Sequence, residues 1–333
     1  MKHNNLFQSY TFNNGVSAKN RLVVAPLTHL ASDDNGHITE EERRFLTDRF
    51  QGFGLFISAA TLVHEGGKAF YGEPEAIGEE DLPSLREVAE IAHKQGAKAL
   101  LQIHHGGWQS IPAINPNGEI FAPSEHAQSG AKALTEAQIL ELIQSYGRAA
   151  ELALLAGFDG VEIHGANNYL IQQFFSAESN RRTDQWGGSL ENRLHFPLAV
   201  VDAVTAIVEK HQRPDFIVGY RFSPEEAGEH GITMKETFAL IDALVEKPLQ
   251  YLHISLWDFY KKVRRGADET RTRIEQIHQR INGKLPLIGV GNLYTAEQAS
   301  QALASGWAEF IALGKTLLLN PNWAELAEQG RDD

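Results

Sequence analysis

Three side chains suited to carbonyl chemistry lie close together near the middle of the chain: His164, Asn167 and Tyr169. An imidazole and a carboxamide can both donate hydrogen bonds to an oxygen that gains negative charge. The phenol of Tyr169 ordinarily has a pKa of about 10, so it is an acid at neutral pH. Such a set suits a substrate whose carbonyl oxygen gains charge while a neighbouring carbon accepts a proton. The alternative is that His164 caps a strand and Tyr169 only packs.

Two more polar residues follow apolar runs elsewhere in the chain. Gln102 carries a donor and an acceptor, which can pair with a heteroaromatic ring or with neighbouring loop backbone. Arg221 follows another run, and an inward-facing guanidinium is costly to bury without an anion or an electron-rich partner. An Asp or Glu ion pair is the ordinary partner of a buried arginine, so the residues alone leave both alternatives open.

The last two apolar runs each end in a glycine followed by a polar residue, Gly291-Asn292 and Gly314-Lys315. Glycine lets backbone N–H groups face an anion, and a lysine adds positive charge. In (β/α)8 barrels, the loops after the seventh and eighth strands are the usual phosphate site. Either segment alone fits an ordinary tight loop, but together they predict a phosphate-binding corner.

Eight short apolar runs must position these polar residues. Each run has the length of a strand, is rich in Val, Ile, Leu or Phe and lacks polar alternation, which is typical of parallel strands covered on both faces. Segments with helical spacing of apolar residues separate the runs. The pattern predicts a (β/α)8 TIM barrel, whose functional groups gather where the strands end. The runs are residues 21–25, 54–59, 98–103, 160–164, 216–220, 251–255, 286–290 and 309–313.

Capping boxes predict where several helices begin. In this pattern a Ser or Thr is followed three residues later by Glu or Gln, and each side chain satisfies a backbone N–H of the other residue. The predicted pairs are Ser84 with Glu87, Thr135 with Gln138, Thr233 with Glu236 and Thr295 with Gln298.

Length and composition favour one globular domain. The chain has 333 residues, of which 42% are hydrophobic, and no linker-like segment divides it. We therefore predict a single domain over residues 1–333, with an excursion at about 104–134 after the third strand that forms a lid or pocket wall.

The charge and the residue types present exclude several functional classes. The formal charge is −13, and the short basic cluster of Lys261, Lys262, Arg264 and Arg265 fits an ordinary surface loop, so we expect no nucleic-acid binding. No apolar run has the length of a membrane span, and residues 1–14 do not resemble a signal sequence. The absence of cysteine excludes disulfides and thiolate metal sites. His104 and His105 lack a third ligand at suitable spacing, so we expect no metal, and we expect a cytoplasmic protein.

Several of these segments together resemble the old yellow enzyme family of FMN-dependent ene-reductases. The resemblance extends over most of the chain, from residues 20–28 to residues 312–315 and Asn320-Pro321. Its most specific part is residues 157–193, which includes Ser179-Asn180-Arg181-Arg182 and Trp186-Gly187-Gly188-Ser189.

The resemblance implies a role for each strand end. Gln102 would pair with the pyrimidine edge of FMN, and Arg221 would lie near N1 and O2, where reduction adds negative charge. His164 and Asn167 would bind the carbonyl oxygen of the substrate, and Tyr169 would deliver a proton. The remaining implied FMN contacts are Ala25, Pro26, Leu27, Thr28 and Ala60 along the ring and Gly291, Asn292, Gly314 and Lys315 at the phosphate.

The chain departs from the family pattern at four places. Asn167 stands where many bacterial members carry a second histidine, and Lys315 stands where arginine is usual. Lysine keeps the charge but not the bidentate geometry of arginine. Thr28 replaces a cysteine, so no thiol can tune the flavin. Residues 102–108 replace a common His-Ala-Gly-Arg version, which leaves the roles of His104, His105 and Trp108 undefined.

The resemblance therefore predicts an enzyme that takes hydride from NADH or NADPH and reduces the C=C bond of α,β-unsaturated carbonyl compounds. One alternative is a flavin-free TIM-barrel lyase or isomerase that acts on a phosphorylated metabolite, because such a protein would use the same phosphate corner. Another alternative is a flavin-binding protein without catalytic turnover. The sequence does not distinguish NADH from NADPH, and it leaves open both the physiological substrate and the existence of a homo-oligomer.

Overall fold

The computed structural model describes residues 2–331, and it contains a closed barrel of eight parallel strands. The first strand pairs with both the second and the eighth, with Val23 opposite Leu55 and Leu22 opposite Ile311. The predicted (β/α)8 TIM barrel is confirmed. In chain order, the strands are Leu22–Val24, Leu55–Ile57, Lys98–His104, Gly160–Gly165, Ile217–Phe222, Tyr251–Ile254, Leu287–Gly289 and Phe310–Leu313.

Helices follow most of the strands and bury the outer face of the barrel. Capping boxes at Thr135, Thr233 and Thr295 are confirmed. The box at Ser84 is wrong, because that helix begins at Leu82 and the Ser84 hydroxyl accepts from the Ile38 N–H. In chain order, the helices are Glu40–Leu46, Leu82–Lys94, Glu136–Leu155, Leu170–Phe175, Leu190–Lys210, Met234–Leu244, Arg273–Ile281, Ala296–Ala304, Lys315–Leu319 and Trp323–Glu328.

None of the helices within residues 2–331 combines the length and the apolar character that crossing a membrane requires.

A small hairpin closes the amino-terminal end of the barrel. Its strands, Tyr10–Thr11 and Ser17–Ala18, pair antiparallel. Phe12 lies between them and stacks on Phe310 of the eighth strand, with ring centroids 5.5 Å apart and planes 8° apart. The hairpin therefore forms part of an apolar plug at this end of the barrel interior, which leaves the carboxyl end of the strands for polar groups.

The segment after the third strand folds back on itself. It contains three 3₁₀ turns and a short strand pair, Phe121–Ala122 with Lys132–Ala133. Trp108 stacks on His126 with ring centroids 4.3 Å apart. It also packs against a small apolar cluster of Ile120, Ala122 and Ala131. In this structure Trp108 thus serves the internal packing of the excursion.

The plug at Phe12 predicts a stability effect. We expect Phe12→Ala to lower the free energy of unfolding by about 3 to 5 kcal/mol, because the lost ring leaves a cavity against Phe310. Equilibrium urea unfolding measures this difference. Leu319→Ala is the matched control, since Leu319 is 81% exposed and its truncation should change the free energy of unfolding little. Equal effects of the two substitutions would contradict a tightly packed plug.

Candidate active site

Above the apolar plug, strand register stacks polar side chains in two layers inside the barrel. In the lower layer, Gln102 lies opposite Glu162, and Gly219 lies between Glu162 and Tyr251. Gly219 has no side chain to fill the interior, and a Cβ there would lie only 2.0 Å from the Tyr251 ring. The glycine thus lets the tyrosine reach across the barrel toward the fourth strand.

The upper layer contains His164, Arg221 and His253, which lie opposite one another on the fourth, fifth and sixth strands. Sequence reasoning placed Arg221 one residue beyond its strand, and this is wrong: the fifth strand continues to Phe222. Because side chains alternate along a strand, Arg221 shares the inward face of Gly219. The guanidinium is buried, and its Nε has no hydrogen-bond partner among the described residues. Burial lowers the pKa of Arg221, while Glu162 raises it.

Glu162 is the centre of the lower layer, and sequence reasoning missed it. One carboxylate oxygen accepts from Gln102 Nε2 at 2.9 Å, and the other accepts from Tyr251 Oη and His253 Nδ1, each at 2.8 Å. Burial alone would raise the pKa of Glu162, but His253, Arg221 and the Gln102 hydrogen bond lower it below its ordinary value. Glu162 is therefore a buried carboxylate anion. The signal in the sequence was an acidic residue flanked by Val161 and Ile163 in a buried strand.

A second buried cluster surrounds Tyr169. The His104 ring lies edge-on to the Tyr169 ring, with centroids 4.5 Å apart, and the centroids of His164 and Tyr169 lie 5.4 Å apart. His104 Nδ1 lies 3.2 Å from a carboxylate oxygen of Glu73, and both side chains are fully buried. Burial, with a smaller contribution from Glu73, raises the pKa of Tyr169 to about 12. Tyr169 is therefore a phenol at any physiological pH.

His164 and Asn167 have hydrogen-bonding states suited to donors. Burial, with smaller contributions from the neighbouring His104 and Arg221, lowers the pKa of His164 well below its ordinary value, so the ring is neutral and carries one N–H. Asn167 adopts a left-handed conformation with φ 58°, which asparagine tolerates well. Its Oδ1 accepts from the Ser255 hydroxyl at 2.6 Å. No described residue accepts a hydrogen bond from the Asn167 side-chain amide nitrogen, so its N–H groups can donate.

A cavity of about 1120 Å³ opens over the carboxyl ends of strands four to eight and one. Five predicted site residues, Thr28, Ala60, Gln102, His164 and Tyr169, lie outside its lining. Thr28 is exposed, whereas Gln102 is only 1% exposed in the layer below. The predicted site residues in the lining are Ala25, Pro26, Leu27, Asn167, Arg221, Gly291, Asn292, Gly314 and Lys315.

The predicted phosphate corner lies in this cavity. Gly291 has φ 126°, a conformation that favours glycine, and a Cβ there would lie 2.7 Å from the Phe259 nitrogen. Lys315 Nζ lies 4.9 Å from the centroid of Trp257, which is 85% exposed. The corner therefore combines a close backbone approach with a cation. Sequence reasoning missed Trp257, although a tryptophan three residues after the end of the sixth strand was visible.

Charged residues line the outer part of the same cavity. Lys261 and Arg264 are exposed there, and Arg273 Nε lies 2.8 Å from a carboxylate oxygen of Glu225. The basic cluster that sequence reasoning treated as an ordinary surface loop thus contributes two cations to the cavity wall.

Comparison with known proteins identifies the family. The family model described as NADH:flavin oxidoreductase / NADH oxidase, of the FMN-dependent oxidoreductases, matches residues 5–333. The chain belongs to this family. As a member of this old yellow enzyme family, it is an FMN-dependent enzyme that uses a nicotinamide reductant.

Two relatives differ in how much of their length this chain covers. "Probable NADH-dependent flavin oxidoreductase YqiG" of Bacillus subtilis (strain 168) is 45% identical over 334 residues, which is 99% of this chain and 90% of the relative. "NADH:acrylate oxidoreductase" of Vibrio harveyi is 37% identical over 97% of this chain. The matched part is only 33% of that relative, so the family barrel occurs there within a much longer protein.

A solved structure shows the same architecture. Morphinone reductase superimposes with a TM-score of 0.82 at 30% sequence identity, and the match covers 98% of this chain and 91% of that protein. The old yellow enzyme barrel is therefore the architecture of the whole described chain.

The residues present fit an FMN. A planar ring needs a partly apolar wall and polar partners at one edge, and the cavity supplies Ala25, Pro26 and Leu27 beside the unpartnered Nε of Arg221. A phosphate needs close backbone and a cation, and Gly291 and Lys315 supply both. Within residues 2–331, no three His, Asp or Glu side chains are arranged to hold a metal ion.

The environment of Tyr169 predicts its titration. We expect the ultraviolet difference titration of wild type against Tyr169→Phe to show no tyrosinate from this residue below a pH of about 11, because burial raises its pKa to about 12. In Glu73→Gln we expect the pKa of Tyr169 to fall but to stay above its ordinary value, because the contribution of Glu73 is lost while burial remains. A Tyr169 that titrates at its ordinary pKa would contradict this environment.

Proposed function

We propose that this enzyme reduces the C=C bond of α,β-unsaturated aldehydes, ketones or related electron-poor alkenes. The observation that carries the proposal is the convergence of three groups at one strand end: a neutral histidine, an asparagine with free amide hydrogens, and a phenol whose ring centroid lies 5.4 Å from that of the histidine. These are the two donors and the one acid that protonation beside a polarised carbonyl requires.

The FMN contacts are part of the proposal. Bound FMN supplies a hydride at N5 after reduction by NADH or NADPH. Gln102 and Arg221 would meet its pyrimidine edge, where Arg221 would favour the negative charge of the reduced form. Ala25, Pro26, Leu27, Thr28 and Ala60 would line the ring, and Gly291, Asn292, Gly314 and Lys315 would hold the phosphate.

His164 and Asn167 would bind the activating oxygen of the substrate. Since the His164 ring is neutral, it acts as a hydrogen-bond donor and does not give up a proton. Ser255 fixes the Asn167 amide by occupying its oxygen, so the N–H groups can point to the substrate. Removing one well-placed oxyanion donor typically costs about 2.7 to 4 kcal/mol of activation free energy.

Tyr169 would protonate the α carbon of the substrate while the β carbon accepts hydride. Its raised pKa keeps the proton on the phenol until a strongly basic carbon develops beside it. The neighbouring Glu73 adds to the raised pKa of Tyr169, so the protonated phenol is again the favoured form after each turnover.

The family assignment contradicts the alternative of a flavin-free lyase or isomerase, because members of the family use FMN. A flavin-binding protein without turnover would not reduce an unsaturated carbonyl repeatedly. Multiple reductions per bound FMN would therefore exclude this alternative. The name of the Vibrio relative, an acrylate oxidoreductase, supports an unsaturated and electron-poor substrate.

Tyr169→Phe separates the two half-reactions. We expect flavin reduction by NADH or NADPH to keep its rate, because the phenol does not contact the hydride donor in this account. Reoxidation by an enone such as cyclohexenone should slow by about 10²-fold or more, since a general acid contributes about that much. Anaerobic stopped-flow absorbance measures both rates in one preparation. Equal slowing of the two half-reactions would rule out a specific proton-donor role.

The donor pair predicts a ligand-binding effect. We expect His164→Ala/Asn167→Ala to lose the long-wavelength absorbance that a bound phenolate produces with oxidised flavin, while FMN remains bound. Titration with para-substituted phenols, followed by absorbance, measures this. Ser145→Ala is a suitable control, because Ser145 is a half-buried residue of the outer helix Glu136–Leu155 whose hydroxyl donates to the Glu141 carbonyl of the same helix. Unchanged phenol affinity in the double variant would contradict the oxyanion role of the pair.

A further inference from the structure

Glu162 is a fully buried carboxylate that the proposed reaction does not use. It lies on the fourth strand, between Val161 and Ile163, two residues before His164. Burying a charge is costly unless hydrogen bonds and an opposite charge compensate it. Three donors from the third and sixth strands compensate it here, so the site is built around this one carboxylate.

The contact between Glu162 and Gln102 fixes which way the Gln102 amide faces. An ionised carboxylate can only accept hydrogen bonds, so the Gln102 NH₂ group must point toward Glu162, at 2.9 Å. The Gln102 main-chain N–H is separately occupied by Ser58 Oγ. The Gln102 side-chain oxygen and its second N–H therefore keep one defined orientation for any further partner. Without the carboxylate the amide could turn over, because its two ends are similar in shape.

Glu162 also balances the charge of Arg221. Both groups are buried, on adjacent strands and in adjacent layers of the barrel interior. His253 and Tyr251 complete the surroundings of Glu162; burial lowers the pKa of His253, while Glu162 raises it. The lower layer thus holds a carboxylate and the upper layer a guanidinium, whose opposite charges offset each other. A negative charge added near Arg221 is therefore attracted by the guanidinium and repelled by the Glu162 carboxylate.

We propose that Glu162 is a positioning residue for the FMN, which orients Gln102 toward the pyrimidine edge and offsets the charge of Arg221. This inference rests on the proposed placement of FMN over these two residues. Through Gln102, Glu162 strengthens binding of FMN in either redox state. Through its charge, it opposes the negative reduced form and so keeps the reduction potential of the flavin lower than Arg221 alone would set it.

The test measures FMN affinity and midpoint potential in the purified protein and in Glu162→Gln. Fluorescence quenching on titration of the apoprotein gives the affinity, and anaerobic dye-equilibrated reduction gives the potential. We expect FMN to bind about tenfold more weakly, because one oriented, charge-assisted contact is lost. We expect the potential to rise, because the charge of Arg221 is no longer offset. Neither the affinity nor the potential measurement requires catalytic turnover.

Two further variants separate orientation from charge. Glu162→Asp keeps the negative charge but shortens the side chain, so it should weaken FMN binding with a smaller change in potential. It also remains informative if Glu162→Gln does not fold. Tyr251→Phe removes one hydrogen bond to the carboxylate but keeps the charge and Gln102, so its potential should stay near that of the wild type.

Three results would overturn the role proposed for Glu162. Wild-type FMN affinity in Glu162→Asp, or a potential in Glu162→Gln that is unchanged or lower, would overturn the inference. A shift in Tyr251→Phe as large as in Glu162→Gln would also overturn it, because the charge would then not be the cause. Gln102→Ala separates this failure from failure of the proposed function. If Gln102→Ala weakens FMN while the Glu162 variants do not, only the inference fails, whereas wild-type FMN affinity in Gln102→Ala overturns the placement of FMN itself.

Discussion

Two opposite charges buried on neighbouring strands, the carboxylate of Glu162 and the guanidinium of Arg221, are the constraint on which the rest of the site depends. A guanidinium buried at the end of the fifth strand needs an opposite charge, and the fourth strand supplies it. The same carboxylate holds Gln102, Tyr251 and His253, so three strands are tied to one anion. The apolar plug fills the other end of the barrel interior, so the polar layers lie toward the carboxyl ends of the strands.

The carboxyl end of the barrel divides into regions with different tasks. Strands seven and eight present close backbone and Lys315, which suit a phosphate, whereas the inner layers present oriented donors and a balanced charge. The fourth strand and the turn after it bring a neutral His164, Asn167 and a fully protonated Tyr169 to one place. Catalysis in this account comes from placement and electrostatics, and the redox chemistry belongs to the cofactor.

The barrel could be predicted from the sequence because its strands are continuous apolar runs, and the strand ends predicted part of the cavity wall, including its phosphate corner. The lower layer could not be predicted, because inward-facing polar residues such as Glu162 and His253 are single interruptions within those runs. Only strand register shows that they meet. Local sequence patterns failed at two places. The predicted cap at Ser84 was wrong, since its hydroxyl accepts from the Ile38 N–H, and Arg221 lies within its strand, which continues to Phe222.

A crystal structure of the enzyme with FMN tests the central claim most directly. The account predicts an isoalloxazine lying across the carboxyl ends of the strands, with its pyrimidine edge against Gln102 and Arg221. Its phosphate should lie between Gly291 and Lys315, and Tyr169 should face the ring. A flavin bound elsewhere, or one whose pyrimidine edge points away from Gln102 and Arg221, would contradict the account.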